Sequence, residues 1–491
     1  MTVTEPELGG RTNRRRWIVV IVLCVGQLMI VLDGTVVNVA LPIIQRDLHF
    51  SQASLAWVIN AYLLTFGGLL LLAGRLGDLI GRRRVFLVGL GAFVVSSVVC
   101  GLAPSAGVLV VARFVQGISA AMVSSMVLGI ISPMFPEPRE RTTALSVYAF
   151  VAVGGASLGL VLGGAITELL SWHWIFFINA PVGAAALVLG TMLLEEQPGV
   201  GLAQGADFLG ALLVTGAPML AVYGLVNAGS HSWGSVSTVV PLGLSVVLVA
   251  TFVLVEGRVR TPLIPLRIFR HRNLVSAAAV RTLFPMGAFG MNFLGALYLQ
   301  HVLGYSALRT GLAFLPSSAM TGIISLTLTP RLVRRFALKH LVVTGLVLIT
   351  AGLLWFTRIP VHGGFGSVVL PTMILTGAGF GLVFMPSVAI AMSDASADEA
   401  GVASGLANVA VQLGASIGVA ALATLATSRT AHLLAGHAVA KVALTDGYRL
   451  GLLVAAGCTA ASLLAAVVLL RSVRPVQSAA AVEVEPVSLS H

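Results

Sequence analysis

Long apolar segments separated by short polar ones recur along the whole chain. Each has about 20 residues or more, which is the length that an α-helix needs to cross a bilayer. Because lipid cannot hydrogen bond with the backbone, such segments are predicted to be membrane helices, and the chain is predicted to be an all-α membrane protein. The fourteen predicted spans are residues 17–41, 54–75, 84–103, 106–132, 143–168, 174–194, 208–228, 236–256, 274–301, 308–330, 340–357, 367–392, 401–426 and 449–470.

The composition supports a membrane protein in contact with a lipid bilayer. Of the 491 residues, 57% are hydrophobic and only 10% are charged, and the mean hydropathy is +0.99. A soluble protein could not bury that much apolar surface, whereas a bundle of membrane helices exposes it to lipid. The three cysteines lie far apart within apolar segments and the ten histidines are scattered, so no metal site is predicted.

The distribution of cations predicts the orientation in the membrane. The net charge of +11 could indicate a nucleic-acid partner, but most of the 29 Lys and Arg residues lie in alternate loops, such as Arg14–Arg16 and Arg82–Arg84. Arginine-rich loops mark the cytoplasmic side. We therefore predict no nucleic-acid partner, cytoplasmic termini and a bacterial plasma (inner) membrane location, since the arginine-rich, lysine-poor composition is typical of a GC-rich bacterial genome. The opposite loops hold only Arg46, Arg309, Arg358, Arg429, Lys441 and Arg449.

A short charged turn separates the second and third predicted spans. Its sequence, from Gly74 to Arg84, is GRLGDLIGRRR. Glycines let helices approach closely, and an acid at a helix end can meet a cation or the N-terminus of another helix. This pattern predicts a cytoplasmic gate, which we call the gate loop. Its residues are Gly74, Asp78, Gly81, Arg82 and Arg83.

A second stretch of the chain aligns with the gate loop without gaps. Residues Gly74–Leu90 match Pro330–Leu346, and both copies lie in predicted cytoplasmic loops between two spans. Internal repeats of this kind are typical of transporters built from two related halves. The predicted organisation is a cytoplasmic segment (1–16), a six-helix bundle (17–194), two extra helices with a basic loop (195–273), a second six-helix bundle (274–470) and a cytoplasmic, disordered tail (471–491).

Motifs along almost the whole chain carry a resemblance to a known family. The gate loop resembles the loop signature of the major facilitator superfamily, and four further motifs resemble its fourteen-span drug:proton antiporter branch. The resemblance implies the major facilitator fold, in which two six-helix bundles, here with two extra transmembrane helices, rock around a central cavity. The further motifs are Leu32–Pro42 (LDGTVVNVALP), Leu109–Gly117, Trp172–Gly183 (WHWIFFINAPVG) and Gly401–Gly414.

Asp33 is the only carboxylate deep inside any predicted span. A lone acid in hydrocarbon costs about 2.5–3.5 kcal/mol or more, which makes it a functional candidate. At about 1.5 Å per helical residue, Asp33 and Arg113 lie at similar depth in the outer half of the membrane. We predict that they form a charge pair that couples proton binding to transport; the alternative is an acid that only packs helices. In the resembled family, the arginine that matches Arg113 is associated with proton coupling.

The fifth predicted span carries a motif with Gly155, Gly159, Gly163 and Gly164. Small residues at four-residue spacing let two helices approach closely, so these glycines are predicted to pack helices. The antiporter signature of the resembled branch has proline after the second glycine, where this chain has Leu160. Any bend of this helix must then come from the glycines, and transport without proton antiport stays an alternative.

The ninth predicted span contains Arg281 and several methionine and aromatic residues. Arg281 has two interpretations: its side chain extends to the cytoplasmic interface, or it lies in the cavity and tolerates neutral or anionic substrates. Methionine and aromatic surfaces adapt to varied amphipathic ligands, although lipid-facing packing also explains them. The candidate cavity residues are Gln27, Asn38, Asn60, Gln116, Arg281, Phe284, Met286, Phe289, Met291 and Asn292.

Together these features predict proton-coupled export of amphipathic small molecules, such as antibiotics or toxic metabolites, by alternating access. The substrate and protons are the predicted partners, the proton gradient is the energy source, no cofactor is expected, and the protein is predicted to be a monomer. One alternative is a facilitator that imports a small nutrient without proton antiport, which Leu160 would favour. A membrane sensor or intramembrane enzyme is disfavoured, because the sequence shows no nucleophile–base pair, metal cluster or sizeable soluble domain.

Overall fold

The computed structural model of the chain describes residues 5–51, 54–135, 137–196, 198–201, 207–230, 233–259, 262–394 and 400–472. These residues form helices joined by short connections, and no strand occurs among them. Most of the tail predicted at 471–491 lies outside the described residues. The helices are α1 (Glu5–Asp47), α2 (Trp57–Ile80), α3 (Arg82–Gly101), α4 (Ala106–Met134), α5 (Pro138–Leu169), α6 (Trp174–Phe177), α7 (Asn179–Leu193), α8 (Phe208–Ser230), α9 (Val236–Glu256), α10 (Arg272–Leu297), α11 (Ala307–Ile323), α12 (Thr329–Arg335), α13 (Leu338–Phe356), α14 (Leu370–Met392), α15 (Ala400–Ala435) and α16 (Ala440–Leu469).

Helix length and composition agree with a multi-span membrane protein. In the described part of the chain, thirteen helical segments are long and apolar enough to cross a bilayer. A further long helix, α5, has 32 residues, and its described apolar stretch is Leu158–Leu169. Three π-helical turns extend or join the others: Tyr298–Val302 follows α10, Ile324–Leu328 joins α11 to α12, and Phe365–Val369 precedes α14. The all-α class is confirmed, and the described helices agree with the predicted fourteen spans.

The helices extend beyond the apolar segments at several ends. α1 begins at Glu5 rather than at residue 17, α15 continues to Ala435 beyond residue 426, and α16 begins at Ala440 ahead of residue 449. The apolar length reflects only the hydrocarbon core, which is about 30 Å thick, whereas a helix can continue through the headgroup region. Hydropathy therefore finds the spans but underestimates the length of the helices.

Local residues set several helix ends. Ser105 and Ser306 cap α4 and α11, because their hydroxyls accept hydrogen bonds from the amides of Val108 (3.5 Å) and Arg309 (3.3 Å). Gly81 separates α2 from α3 with φ +102°, a conformation that residues with a side chain rarely adopt. The gate loop therefore consists of the last residues of α2, a tight turn at Gly81 and the first residues of α3.

Two bundles and one hairpin account for the helix packing. α1–α7 form the first bundle, α10–α16 form the second, and α8 and α9 form an antiparallel hairpin, which we call the accessory hairpin. Thr215 of α8 packs on Gly68 of α2 in the first bundle. On the other side, Thr424 of α15 donates a hydrogen bond to the Leu225 carbonyl of α8 at 2.9 Å. The accessory hairpin therefore contacts both bundles.

The ends of the helices define two faces of the molecule. The basic face contains the gate loop and the connections that follow α4, α7, α9, α12 and α14. The opposite face contains the connections that follow α1, α3, α5, α8, α10, α13 and α15. α5 packs along α11 near the opposite face, where the Leu308 amide donates to Glu168 Oε2 at 2.9 Å. Toward the basic face, Ile324–Leu328 contains no buried residue, and the described residues of α5 do not pack along α12. At this pair of helices, the bundles thus meet near the opposite face and are apart toward the basic face.

Candidate functional site

A charge pair lies inside the first bundle, between α1 and α4. Arg113 Nη1 donates a hydrogen bond to Asp33 Oδ2, and both side chains are only 1% exposed. Two charges removed from water are costly unless further hydrogen bonds satisfy them. The structure therefore brings together the two residues for which the sequence predicts a charge pair, and it places them out of reach of bulk water.

Three polar side chains surround this pair. Gln116 Nε2 donates to Asp33 Oδ1 at 2.9 Å and to Ser97 Oγ at 2.7 Å. Gln116 Oε1 accepts from Arg113 Nη1 at 2.7 Å, and Asn179 Nδ2 donates to Asp33 Oδ1 at 3.4 Å. Helices α1, α3, α4 and α7 each supply at least one of these groups. We call Asp33, Ser97, Arg113, Gln116 and Asn179 the Asp33 cluster.

Aromatic rings and backbone groups enclose the cation of the Asp33 cluster. Arg113 Nε donates to the Val58 carbonyl of α2 at 3.0 Å. The guanidinium carbon lies 4.3 Å from the centroid of the Tyr62 ring and 5.9 Å from that of Phe176, which is within the range of cation–π attraction. The cluster is thus a polar core shielded from water, so its hydrogen bonds are stronger than they would be in solvent.

The sequence prediction included Asp33, Arg113 and Gln116 but omitted Ser97 and Asn179. Gln116 was predicted to line the substrate cavity, whereas its side chain is fully buried in the Asp33 cluster. Asn179 lies within the motif Trp172–Gly183, where an uncharged polar residue in an apolar stretch was the available signal. Ser97 offered no such signal, because serines are common in membrane helices and often bond their own backbone.

Three glycines of α5 let that helix approach α1. A Cβ at Gly163 would lie 2.8 Å from the Val36 carbonyl oxygen, which is closer than real Cβ atoms come. Gly155 and Gly159 face the same helix, and Gly159 lies opposite the turn that carries Asp33. These glycines therefore place the backbone of α5 directly behind the Asp33 cluster.

The fourth glycine and Leu160 lie at the interface between the bundles. A Cβ at Gly164 would lie 2.6 Å from the Ala307 carbonyl oxygen of α11. In return, a Cβ at Gly311 of α11 would lie 3.1 Å from the Leu160 carbonyl carbon. α5 is a single helix from Pro138 to Leu169 and continues through Leu160. The position at which the chain departs from the antiporter signature is therefore in contact with the second bundle.

The gate loop is held at the basic face by an arginine. Arg82 Nη2 and Nε lie 3.1 Å and 3.3 Å from Asp78 Oδ1, and Arg82 Nη1 donates to the Gly129 carbonyl of α4 at 2.6 Å. Around Gly74, in contrast, a Cβ would meet no atom within 4 Å. Asp78 and Arg82 thus form one linked unit with α4, whereas Gly74 borders open space in this conformation.

The connection between α7 and α8 lies across the gate loop. The amides of Val200 and Gly201 donate to the carbonyls of Asp78 and Leu79, both at 3.0 Å. These carbonyls belong to the last turn of α2, where the helix itself supplies no donor. We call residues 198–201, with the sequence PGVG, the strap. The strap was not predicted from the sequence, because backbone donors leave no trace in a segment without charged or polar side chains.

A pocket of about 540 Å³ lies between the strap and the start of α3. Arg83 crosses it and pairs with Glu196 at 3.1 Å, and Arg83 Nη2 donates to the Thr191 carbonyl at 2.7 Å. Arg83 thereby ties the gate loop to the end of α7. The lining residues are Leu79, Ile80, Arg83, Arg84, Glu196, Pro198, Gly199 and Gly201.

The predicted cavity residues differ in their exposure. Asn60 is fully buried, and its Oδ1 accepts a hydrogen bond from Ser416 Oγ of α15 at 3.1 Å, so it joins the two bundles. Phe284 is fully buried against Phe380, with ring centroids 5.4 Å apart. Buried side chains of this kind pack helices in the present conformation. Gln27 and Met291 are also buried, and the half-buried members of the set are Asn38, Met286, Phe289 and Asn292.

Arg281 does not extend to the membrane interface, so that interpretation of the sequence is wrong. Its side chain is fully buried, with Nε donating to the Ala407 carbonyl at 2.9 Å and Nη1 to the Phe384 carbonyl at 3.1 Å and to Ser387 Oγ at 2.8 Å. Nη2 has no hydrogen-bond partner. Arg281 therefore joins α10, α14 and α15 within the second bundle.

Two helical bundles with long apolar helices and a buried ion pair inside one of them are typical of a membrane transporter rather than an enzyme. The sequence pattern described as "Major Facilitator Superfamily" matches residues 23–419. The chain belongs to the Major Facilitator Superfamily.

Relatives of known name cover most of the chain. The puromycin resistance protein pur8 of Streptomyces alboniger is 41% identical over 88% of this chain and 86% of its own length. The tetracenomycin C resistance and export protein of Streptomyces glaucescens is 35% identical over 84% of this chain and 77% of its own. The cephamycin export protein CmcT of Amycolatopsis lactamdurans is 34% identical over 86% of this chain and 87% of its own.

Solved structures share the fold at low sequence identity. A bacterial homolog of the human lysosomal transporter Spinster, in an inward-facing and unoccupied conformation, superimposes with a TM-score of 0.66 at 15% identity, covering 93% of this chain and 98% of its own. The POT family transporter PepTSo also gives a TM-score of 0.66 at 15% identity, covering 92% and 98%. These similarities concern the fold alone.

Proposed function

We propose that this protein is a proton-coupled exporter of amphipathic small molecules in the bacterial plasma membrane. In this proposal the basic face and both termini are cytoplasmic. A single chain acts as a monomer, because it supplies both bundles and the space between them. The observation that carries the proposal is the Asp33 cluster, a buried carboxylate bonded to a cation inside a transporter bundle. The names of the relatives, which refer to antibiotic resistance and export, support the direction of transport.

Asp33 is suited to bind and release a proton during the transport cycle. In this conformation Arg113 and Gln116 donate hydrogen bonds to its two oxygens and favour the ionised form. If a change of conformation moves Arg113 away, a buried carboxylate without a cation favours the neutral form. Two conformations that surround Asp33 differently then differ in their affinity for a proton, and this difference is what coupling requires.

Helix α5 connects the proton site to the movement of the bundles. Gly159 and Gly163 place α5 against the part of α1 that carries Asp33, and Gly164 places the same helix against α11 of the second bundle. Closely packed glycine interfaces tolerate little change in spacing without a shift of the whole helix. A change at the Asp33 cluster can therefore alter the contact between the bundles.

The conformation supports entry of substrate from the cytoplasm. Helices α5 and α11 pack near the opposite face, where the Leu308 amide bonds to Glu168, whereas Ile324–Leu328 is not buried toward the basic face. Export requires the reverse state, in which that contact breaks and the gate loop closes against the second bundle. The open space around Gly74 can accept an approaching helix in that state. This exchange of openings is alternating access by two rocking bundles.

The proposed substrates are amphipathic molecules of antibiotic size. Three relatives are named for resistance to or export of three different antibiotics, which favours a site that adapts to shape. Met286 and Phe289 of α10 are half-buried, and methionine and aromatic side chains form adaptable apolar surfaces. Puromycin is the first compound to test, because the 41% identical relative is a puromycin resistance protein.

The proposal is tested in proteoliposomes that carry an imposed proton gradient. Adding puromycin should release protons along the gradient through the wild-type protein, and Asp33→Asn should abolish this release. Asp446→Asn is the matched control, because it removes an exposed acid that pairs with Arg429 at the opposite face. It should release protons like the wild type.

Two outcomes would contradict the proposal in different ways. Full drug-dependent proton movement in Asp33→Asn would remove Asp33 from the coupling mechanism. Passage of puromycin without any proton movement in the wild-type protein would instead support a facilitator. In that case Leu160→Pro, which restores the residue of the antiporter signature at the bundle interface, is the next variant to measure.

A further inference from the structure

Two buried carboxylates lie together at the basic-face end of the accessory hairpin. Asp207 directly precedes α8 and is 6% exposed, and Glu256 ends α9 and is 3% exposed. One oxygen of each is satisfied by the backbone: Asp207 Oδ1 accepts from the Gly210 amide at 2.6 Å, and Glu256 Oε2 accepts from the Ile264 amide at 3.3 Å. The second oxygens, Asp207 Oδ2 and Glu256 Oε1, are buried without any hydrogen-bond partner.

The two unpartnered oxygens face the same point in space. A Cβ at Gly210 would lie 2.5 Å from Asp207 Oδ2 and 2.9 Å from Glu256 Oε1. The two carboxylates are therefore close neighbours, with no side chain between them at Gly210. Two ionised carboxylates this close, each shielded from water, repel one another strongly, and each unpartnered oxygen adds a further cost of desolvation.

No cation compensates this charge within the part of the chain that the structure describes. The described charged residues on the neighbouring segments are Arg258 and Arg267 after α9, and Arg75 and Asp78 on α2, which packs on α8. Arg260, in the same connection, lies outside the described residues. None of the ion pairs or hydrogen bonds formed among the described residues joins a basic side chain to Asp207 or Glu256. A proton between the two carboxyl groups would satisfy both oxygens.

We propose that Asp207 and Glu256 form a second proton-binding site, in which one proton is shared between the two carboxyl groups. The protonated carboxyl donates its O–H to the unpartnered oxygen of the other, so a single proton satisfies both. The net charge of the pair is then minus one, as in other carboxyl pairs that cannot both ionise. This site lies outside the Asp33 cluster and does not depend on the direction of transport.

The location of the pair gives its protonation a structural consequence. The proton joins the start of α8 to the end of α9, and α8 packs on α2 and α15, one helix of each bundle. The strap, which bonds to the end of α2, lies a few residues before Asp207 in the same connection. Loss of the shared proton would place two like charges at this junction and weaken the attachment of the accessory hairpin.

The first test is the pH dependence of thermal stability in the purified full-length protein. The folded pair holds a proton that the unfolded chain releases, because exposed carboxyls ionise near pH 4. The stabilisation is therefore present at low pH and is lost as the pH rises through the titration of the folded pair. Between about pH 6 and about pH 9, we expect the wild-type Tm to fall by about 2 °C or more relative to Asp207→Asn and Glu256→Gln.

The amide variants keep a neutral hydrogen-bonding partner and remove one of the two charges, so neither should lose stability at high pH. The exposed acid variant Asp446→Asn should follow the wild-type curve. Identical pH dependence in the wild type and both amide variants would overturn the proposal. A saturable rise of the wild-type Tm with NaCl or MgCl₂ at fixed pH, absent in both variants, would show a metal-cation site and would overturn it as well.

Infrared spectroscopy of variants that keep the helical fold supplies a direct readout of the shared proton. In the Asp33→Asn background, the carbonyl stretching band of a protonated carboxylic acid should be present at neutral pH and disappear at high pH. It should be absent from the same background with Glu256→Gln added. Absence of the band from Asp33→Asn at every pH would show that the pair is fully ionised, and the assignment would fail.

Discussion

Two buried arginines, one in each bundle, are held in different ways. Arg113 of the first bundle donates to the Asp33 carboxylate and to Gln116, and its guanidinium lies over the Tyr62 ring. Arg281 of the second bundle donates only to backbone carbonyls and to the hydroxyl of Ser387, and its Nη2 has no partner. The first cation has an anionic partner, whereas the second is bonded to neutral oxygens.

This difference distinguishes a site that can change its protonation state from a site that cannot. A carboxylate next to a guanidinium has two protonation states, and the balance between them follows the distance to the cation. A guanidinium bonded to carbonyl oxygens has a single state, because arginine stays protonated and carbonyls do not titrate. The comparison predicts that proton coupling belongs to the first bundle, and that Arg281 holds α10, α14 and α15 together.

Arg113→Met should have the largest effect on the comparison. The substitution leaves the Asp33 carboxylate buried without its cation, and breaking a buried ion pair in this way costs about 3–5 kcal/mol. We expect drug-dependent proton movement in proteoliposomes to fall to background and the Tm of the purified protein to drop clearly below that of the wild type.

The double variant Asp33→Asn/Arg113→Met is the control for this prediction. With both charges removed, most of the lost stability should return, although proton coupling should stay absent. A double variant as unstable as Arg113→Met would show that lost packing, rather than an uncompensated charge, explains the single substitution.

The Asp33–Arg113 contact could be predicted from the sequence because both residues are charged and their depths follow from the helical rise. Asn179 and Ser97 could not be placed, because the contact depends on how α3 and α7 are rotated about their axes. The rotation of a helix about its axis can be predicted from a polar stripe along one side. Helices that are apolar on all sides have no such stripe. The same limit explains Arg281, whose direction on α10 decides between the membrane interface and the interior of the bundle.

The strap and the carboxylate pair of the accessory hairpin show a second limit. The strap acts through the backbone amides of Val200 and Gly201, which any sequence could provide. Asp207 and Glu256 are separated by two helices, and each lies at the edge of an apolar segment, where acids are common. Only the antiparallel packing of α8 on α9 shows that they meet. The number of spans and the motif residues can therefore be read from short stretches of the sequence. These contacts, in contrast, depend on how distant helices pack in the tertiary structure.

Arg281→Met should change stability less than Arg113→Met and should leave the ratio of protons to drug unchanged. Methionine keeps the apolar volume and leaves no opposite charge unpaired. The lost hydrogen bonds of this charged donor are worth about 1.5–3 kcal/mol each, and much of this is offset because a charge no longer has to be buried. The measurement is proton movement and puromycin movement in the same vesicles. An altered ratio of protons to puromycin would contradict the comparison and would show that the second bundle contributes to proton coupling.

Asn179→Ala and Ser387→Ala should have the smallest effects, and they sharpen the comparison because each removes one neutral partner from one of the two arginine sites. Asn179 donates to Asp33 at 3.4 Å, so its loss slightly disfavours the ionised acid, and the pH profile of proton-coupled transport should move to higher pH. Ser387 accepts from Arg281 at 2.8 Å, which is the shorter bond, yet its loss affects no group that changes protonation. Both variants should lose roughly 1 kcal/mol of stability.

Only Asn179→Ala should shift the pH profile of proton-coupled transport. An equal shift in Ser387→Ala would show that the pH dependence reports the stability of the bundles rather than the charge state of Asp33.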